Sequence, residues 1–128
     1  MANEQPIRIM IIEHHFLVRV GLAALISSQP DMAIIAEARN CSEALELLKK
    51  YNPDITLLDL QLPGMRGASL VREIIKGQPE ARILVMTAPG KEEETRSAIR
   101  AGAKSYCVKQ EEGQDLVKAI RALHDSAS

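Results

Sequence analysis

Asp54-Ile55-Thr56-Leu57-Leu58-Asp59, followed closely by Leu62-Pro63-Gly64-Met65-Arg66-Gly67, is the stretch on which the fold turns. Ile55, Leu57 and Leu58 form an apolar run too short for a buried helix, an acid closes it, and the Pro-Gly pair turns the chain. Leu70, Val71, Ile74 and Ile75 then recur at helical spacing, so a buried strand feeds a turn and an amphipathic helix. The same unit appears upstream and downstream. Ile7 to Ile12 is an Ile-rich strand, and Leu17, Gly21, Leu22, Leu25 and Ile26 mark a first helix that closes at Ser27-Ser28-Gln29-Pro30. Met32 to Arg39 is a second strand. Asn40 with Glu43 forms a capping pair ahead of Ala44, Leu45 and Leu48, and Tyr51-Asn52-Pro53 ends that helix.

Beyond the central stretch, Arg82 to Thr87 reads as a fourth strand broken by Ala88-Pro89-Gly90. A helix from roughly Lys91 to Ala101 ends at Gly102, the usual residue for a left-handed cap. Its one large apolar anchor is Ile99, which makes it the loosest helix and a candidate two-position element. Lys104 to Lys109 is a fifth strand, and a last helix puts Leu116, Ile120 and Leu123 on one side; Asp125-Ser126-Ala127-Ser128 reads as a frayed end. Strands that alternate with helices of this length require right-handed crossovers and a parallel sheet covered on both faces. The expected class is α/β, a doubly wound five-stranded parallel sheet of the flavodoxin-like (βα)5 type.

The chain has 128 residues, 46% of them apolar, and its 16 Lys plus Arg nearly balance 17 Asp plus Glu. That is one domain's worth of core, and a net charge of -1 argues against an extended basic footprint for nucleic acid. Cys41 and Cys107 stand far apart without metal-ligand spacing, which suggests neither a zinc site nor a disulfide framework. Neither a secretion signal nor a run of about 20 apolar residues is present, so a cytoplasmic, non-membrane protein is expected. In open parallel sheets the ligand site lies at the carboxyl ends of the strands. The polar residues there are Glu13 and His14, Asp59, Thr87 and Lys109: carboxylates, a hydroxyl and an ammonium converging from separate strands.

Asp59-Leu60-Gln61-Leu62-Pro63-Gly64-Met65-Arg66-Gly67, Thr87-Ala88, and Arg100-Ala101-Gly102-Ala103 with Tyr106 and Lys109 occur here in order. Together they resemble the response-regulator receiver family of two-component signalling, from about Ile7 to Leu123. Leu17-Val18-Arg19 with Gly21-Leu22 is further similar to receivers attached to helix-turn-helix transcription factors. The resemblance implies a single receiver domain over 1–128, with its core at about 7–124 and no output domain, so that DNA binding would need a segment absent from this chain. It implies that Asp59 accepts a phosphoryl group from a phosphohistidine on a sensor histidine kinase, with Thr87 and Lys109 each binding a phosphoryl oxygen. It implies that Tyr106 rotates inward as Thr87 moves, which would switch the face formed by helix four, strand five and helix five. A homodimer through that face also follows from the resemblance, although no apolar stripe marks it.

One element departs from the family. Two adjacent acids normally follow the first strand and hold Mg²⁺ with the phosphoacceptor; here the pair reads Glu13-His14. Imidazole nitrogen suits Mg²⁺ poorly, so affinity for it should fall. Three outcomes remain open. Mg²⁺ binds weakly through Glu13, Asp59 and the Gln61 backbone carbonyl; or a charged His14 partners Asp59 and replaces the metal; or His14 and the carboxylates take a softer ion such as Mn²⁺. His15 is expected to be an exposed or capping residue.

Rival functions fit less well. A flavin carrier of the same layering would need a Ser/Thr/Gly-rich cradle after the first strand, and Glu13-His14-His15-Phe16 supplies none. A phosphatase with an aspartyl nucleophile would place a general acid where Gln61 stands, so the chain is expected not to be an enzyme. The remaining alternative is a pseudo-receiver, an interaction module that keeps the shape without phosphorylation.

Overall fold

The computed structural model describes residues 5–109 and 113–126. Ala127 and Ser128, at the expected frayed end, lie outside the described residues; Asp125 still belongs to the last helix, and the Ser126 hydroxyl donates to the Leu123 carbonyl at 3.0 Å. The elements are β1 (Ile7–Ile12), α1 (Phe16–Ser27), β2 (Met32–Ala38), α2 (Cys41–Tyr51), β3 (Ile55–Asp59), α3 (Gly67–Gly77), β4 (Ile83–Thr87), α4 (Glu92–Ala101), β5 (Ser105–Val108) and α5 (Gly113–Asp125). The strands form one sheet in the order β2-β1-β3-β4-β5, with every neighbouring pair parallel. The (βα)5 expectation therefore holds, with strand ends shifted by a residue.

Alternation along the strands distributes the core between two faces. Met10, Ile12, Leu58 and Val85 point toward α2, α3 and α4, where they meet Ala44, Leu48, Leu70, Val71, Ile74 and Ala98. Ile9, Ile11, Leu57, Leu84 and Met86 point the other way, toward Ile26 of α1 and Leu116, Val117, Ile120 and Leu123 of α5. β3 and β4 are buried along their whole length, whereas β2 and β5, at the edges, are only partly covered. The α2 cap forms as the sequence suggests: Asn40 Oδ1 accepts from Glu43 N at 2.9 Å, and Glu43 reaches back to Arg39 N at 2.8 Å.

Two helix faces differ from expectation. Leu17 is 79% exposed and lies with Phe16 and Val20 on the outer side of α1, which buries Ile26 and half-buries Leu22 and Leu25. On α4 the buried residues are Thr95 and Ala98, not Ile99, which is 38% exposed. Gly102 closes α4 with φ of +129°, and a Cβ there would press on Ile75.

A cluster far from the strand ends ties α5 to the start of β2. Arg121 Nε and Nη2 donate to the Asp31 carboxylate at 2.8 and 2.9 Å, and Nη2 also reaches Gln29 Oε1 at 2.9 Å. The guanidinium holds the Asp31 carboxyl below its ordinary value. A folded pKa below the unfolded one stabilises the fold above the ordinary carboxylate range, and that contribution disappears as pH falls through the lowered value. Both side chains are more than a third exposed, so solvent screening keeps the contribution to the small size of a surface pair. Arg121→Ala should lower the urea midpoint slightly at neutral pH, and the two unfolding curves should merge in acid.

Candidate functional site

The carboxyl ends of β1, β3, β4 and β5 deliver Glu13, Asp59, Thr87 and Lys109 to one edge of the sheet, beside the place where strand order reverses around β1. Each is set by the backbone. Glu13 N donates to Ala38 O at 3.0 Å, Leu60 N to Met86 O at 3.0 Å, and Lys109 N to Thr87 O at 2.7 Å, which extends the parallel ladder one residue past the strands. Gly67 lets α3 begin directly against the acid: a Cβ there would collide with Leu60, the residue after Asp59.

Glu13 and Asp59 are fully buried, and a single ammonium lies between them. Lys109 Nζ is 3.0 Å from Asp59 Oδ1 and 3.2 Å from Glu13 Oε1. Asp59 Oδ1 also accepts from the backbone N–H of Gln61 at 2.9 Å, so this carboxylate is oriented by a fixed donor as well as by charge. Among the described residues, none donates a hydrogen bond to the buried Asp59 Oδ2, and Glu13 Oε1 has only the ion pair. Two buried carboxylates share one ammonium among the described residues and leave an acceptor oxygen without a hydrogen bond, an arrangement that costs stability.

The first turn of α1 clasps Glu13 from its other side. His15, the N-cap residue, donates its backbone N–H to Glu13 Oε2 at 3.0 Å and brings Nδ1 to 3.2 Å, and Arg19 donates to the Glu13 carbonyl at 3.1 Å. The imidazole beside the carboxylates is thus that of His15. Glu13, His15 and Asp59 offer ligand atoms within 4.8 Å of one another. His14, which the sequence placed in this role, is exposed and packs edge-on against the His15 ring, with centroids 5.4 Å apart. The turn after β1 points the first ring outward and folds the second back over Glu13. The expectation that His15 caps the helix is met, by its backbone rather than its side chain.

Thr87 is buried, and its hydroxyl lies 2.9 Å from Thr95 Oγ1 on α4. Tyr106 is 56% exposed on β5 and borders a cavity of about 310 Å³ that is also lined by Thr87, Pro89, Thr95, Ile99 and Val108. Gln61 enters the site through its backbone N–H. Sequence reasoning missed Thr95 and assigned His15 no chemistry. The only trace of either was the second His of the pair His14-His15.

Comparison with known proteins gives a consistent result. The profile of a family described as the response regulator receiver domain matches residues 9–121. The nitrate/nitrite response regulator protein NarL of Escherichia coli K12 is 36% identical over 128 residues, all of this chain and 58% of that protein. The transcriptional regulatory protein LiaR of Bacillus subtilis is 36% identical over 116 residues, 91% of this chain and 55% of that protein. The chain therefore spans a little over half the length of these relatives. Among solved structures, a two-component response regulator of the LuxR family from Aurantimonas sp. SI85-9A1 superposes with a TM-score of 0.90 at 36% identity, covering 95% of this chain and 87% of that one. The signal receiver domain of a NarL-type regulator from Mycobacterium tuberculosis gives 0.89 at 27% identity, covering 95% and 98%. Among the described residues no helix is long and apolar enough to cross a membrane.

Proposed function

The chain belongs to the response regulator receiver domain family, and from that premise we propose that Asp59 is the acceptor in a two-component phosphorelay. The observation that carries this reading is the asymmetry of its carboxylate: Oδ1 is held by Gln61 N–H and Lys109, while Oδ2 is unbonded. In the transfer, Oδ2 forms the new bond to phosphorus as the phosphorus–nitrogen bond of a sensor kinase phosphohistidine breaks, and the electron pair of that bond stays on the kinase imidazole. Lys109 offsets charge on the acyl phosphate, and Thr87, once its hydroxyl turns from α4, donates to a phosphoryl oxygen. Transfer of this kind depends on position and charge far more than on covalent catalysis. Movement of Thr87 leaves room for Tyr106 to turn into the neighbouring cavity, which reshapes the α4–β5–α5 face. A homodimer on that face, and DNA binding through a segment beyond these residues, belong to the same reading.

The family's metal fits the donor set. Glu13 and Asp59, with the Gln61 backbone carbonyl, would hold a divalent cation, which when bound neutralises phosphoryl charge; the buried Glu13 Oε1, which accepts no hydrogen bond from the described residues, suits such an ion. With the His15 nitrogen among the ligands, the set favours Mn²⁺ over Mg²⁺. Intact mass after incubation with acetyl phosphate, with Mg²⁺, with Mn²⁺ and without metal, tests both statements. The expected result is a single phosphoryl adduct, formed at lower Mn²⁺ than Mg²⁺ concentration, with the Mn²⁺ preference reduced in His15→Ala. No adduct under any condition overturns the acceptor reading in favour of a phosphorylation-independent interaction module; an adduct with Mg²⁺ and Mn²⁺ equally effective overturns the metal assignment.

A further inference from the structure

Thr95 Oγ1 makes two contacts of 2.9 Å, one to Thr87 Oγ1 and one to the Lys91 carbonyl, which also accepts the Thr95 backbone N–H at 3.0 Å. A hydroxyl carries one proton, and a carbonyl can only accept. The two contacts are each full two-centre hydrogen bonds when Thr95 donates back to Lys91 O and Thr87 in turn donates to Thr95. In that arrangement the single proton of Thr87 is committed to α4, away from Asp59. The pair is buried, and Thr95 with Ala98 supplies the fully buried surface of α4.

We propose that Thr95 is a positioning residue that holds the Thr87 hydroxyl against α4 and sets how readily it turns to serve a phosphoryl group. The proposal rests on the phosphoacceptor reading and adds a residue to it. Thr87 cannot donate to the phosphoryl oxygen without releasing Thr95, so occupation of Asp59 and loosening of the first turn of α4 are a single event. The same bond stands at the edge of the cavity beside Tyr106. In a receiver without it, the hydroxyl would be free in the resting state.

Thr95→Val keeps the shape and removes the acceptor. The test is calorimetric binding of beryllium fluoride, which mimics a phosphoryl group on a carboxylate, together with the χ1 averaging of Thr87 measured by NMR coupling constants in the free protein. Thr95→Val should bind beryllium fluoride about fivefold more tightly, the factor that one net hydrogen bond commands, and should average the Thr87 rotamer. Thr95→Ser should restore both values, and in a Thr87→Ala background Thr95→Val should give no gain. A merely structural role would produce weaker binding, because a damaged fold opposes the bound state. Equal or weaker binding in Thr95→Val overturns the proposal. If the parent chain binds no beryllium fluoride, the acceptor reading fails separately, and the Thr87 rotamer alone decides: an unchanged rotamer in Thr95→Val overturns the positioning role.

Discussion

Asp59→Asn should abolish the phosphoryl adduct completely while raising stability by about 1 kcal/mol, the low end of the gain from removing a buried charge. Loss of the adduct follows because an amide lacks the nucleophilic oxygen that Oδ2 provides. The gain in stability has a different origin. Glu13 and Asp59 are both fully buried and share one ammonium, so the site carries an excess negative charge, and Asp59 Oδ2 receives no hydrogen bond. An amide in this position removes the excess charge, leaves Lys109 paired one-to-one with Glu13, and keeps a carbonyl oxygen for Gln61 N–H. Function and stability should therefore move in opposite directions, as they do where an active group is held against its own preference. Mass spectrometry with acetyl phosphate and urea unfolding of the same two preparations make the comparison. A destabilised Asp59→Asn chain would mean that the pair of carboxylates is a net structural asset.

Lys109→Met should have the largest effect on stability, a loss of about 3 kcal/mol, near the lower end for breaking a buried ion pair because the lysine is about a quarter exposed. Methionine keeps the unbranched stem and removes the charge, which leaves Glu13 and Asp59 facing each other uncompensated. The cause is electrostatic, so the cure is too: Glu13→Gln in the same chain should recover a large part of the loss, whereas a packing defect would not respond. Urea midpoints of the single and double variants read this directly. A Lys109→Met chain within about 0.5 kcal/mol of the parent, the range of ordinary surface substitutions, would remove the ammonium from its structural role.

The sheet and the gathering of four polar residues at its carboxyl edge were legible because each depends on a strong local signal. Short apolar runs are bounded by Pro and Gly, and Glu13, Asp59, Thr87 and Lys109 mark where those runs end. The inner face of α1 was not legible. Its residues are nearly all apolar, with Arg19 the one charge, so the sequence offers no contrast between inside and outside, and Leu17 is found outside. The exchange of His14 for His15 was hidden for another reason: strand alternation stops at Ile12, and the path of a short turn decides which ring folds back. On α4 the small residues Thr95 and Ala98 pack closest, and neither stands out in an apolar pattern, while the conspicuous Ile99 lies at the rim. Thr95 could be recognised only once the turn after β4 had brought it onto Thr87.

The strand order bears on how the protein is made. β1 pairs directly with β3, so Glu13 and Asp59 become neighbours as soon as the first half of the chain has folded, while Lys109 arrives only after β4 has docked and β5 has been added at the edge. A chain in which β1 and β3 have paired must hold two adjacent acids without their counter-charge until β5 is in place. Closure of the last strand thus completes the sheet and supplies the missing cation together, and a chain truncated before β5 would lack both.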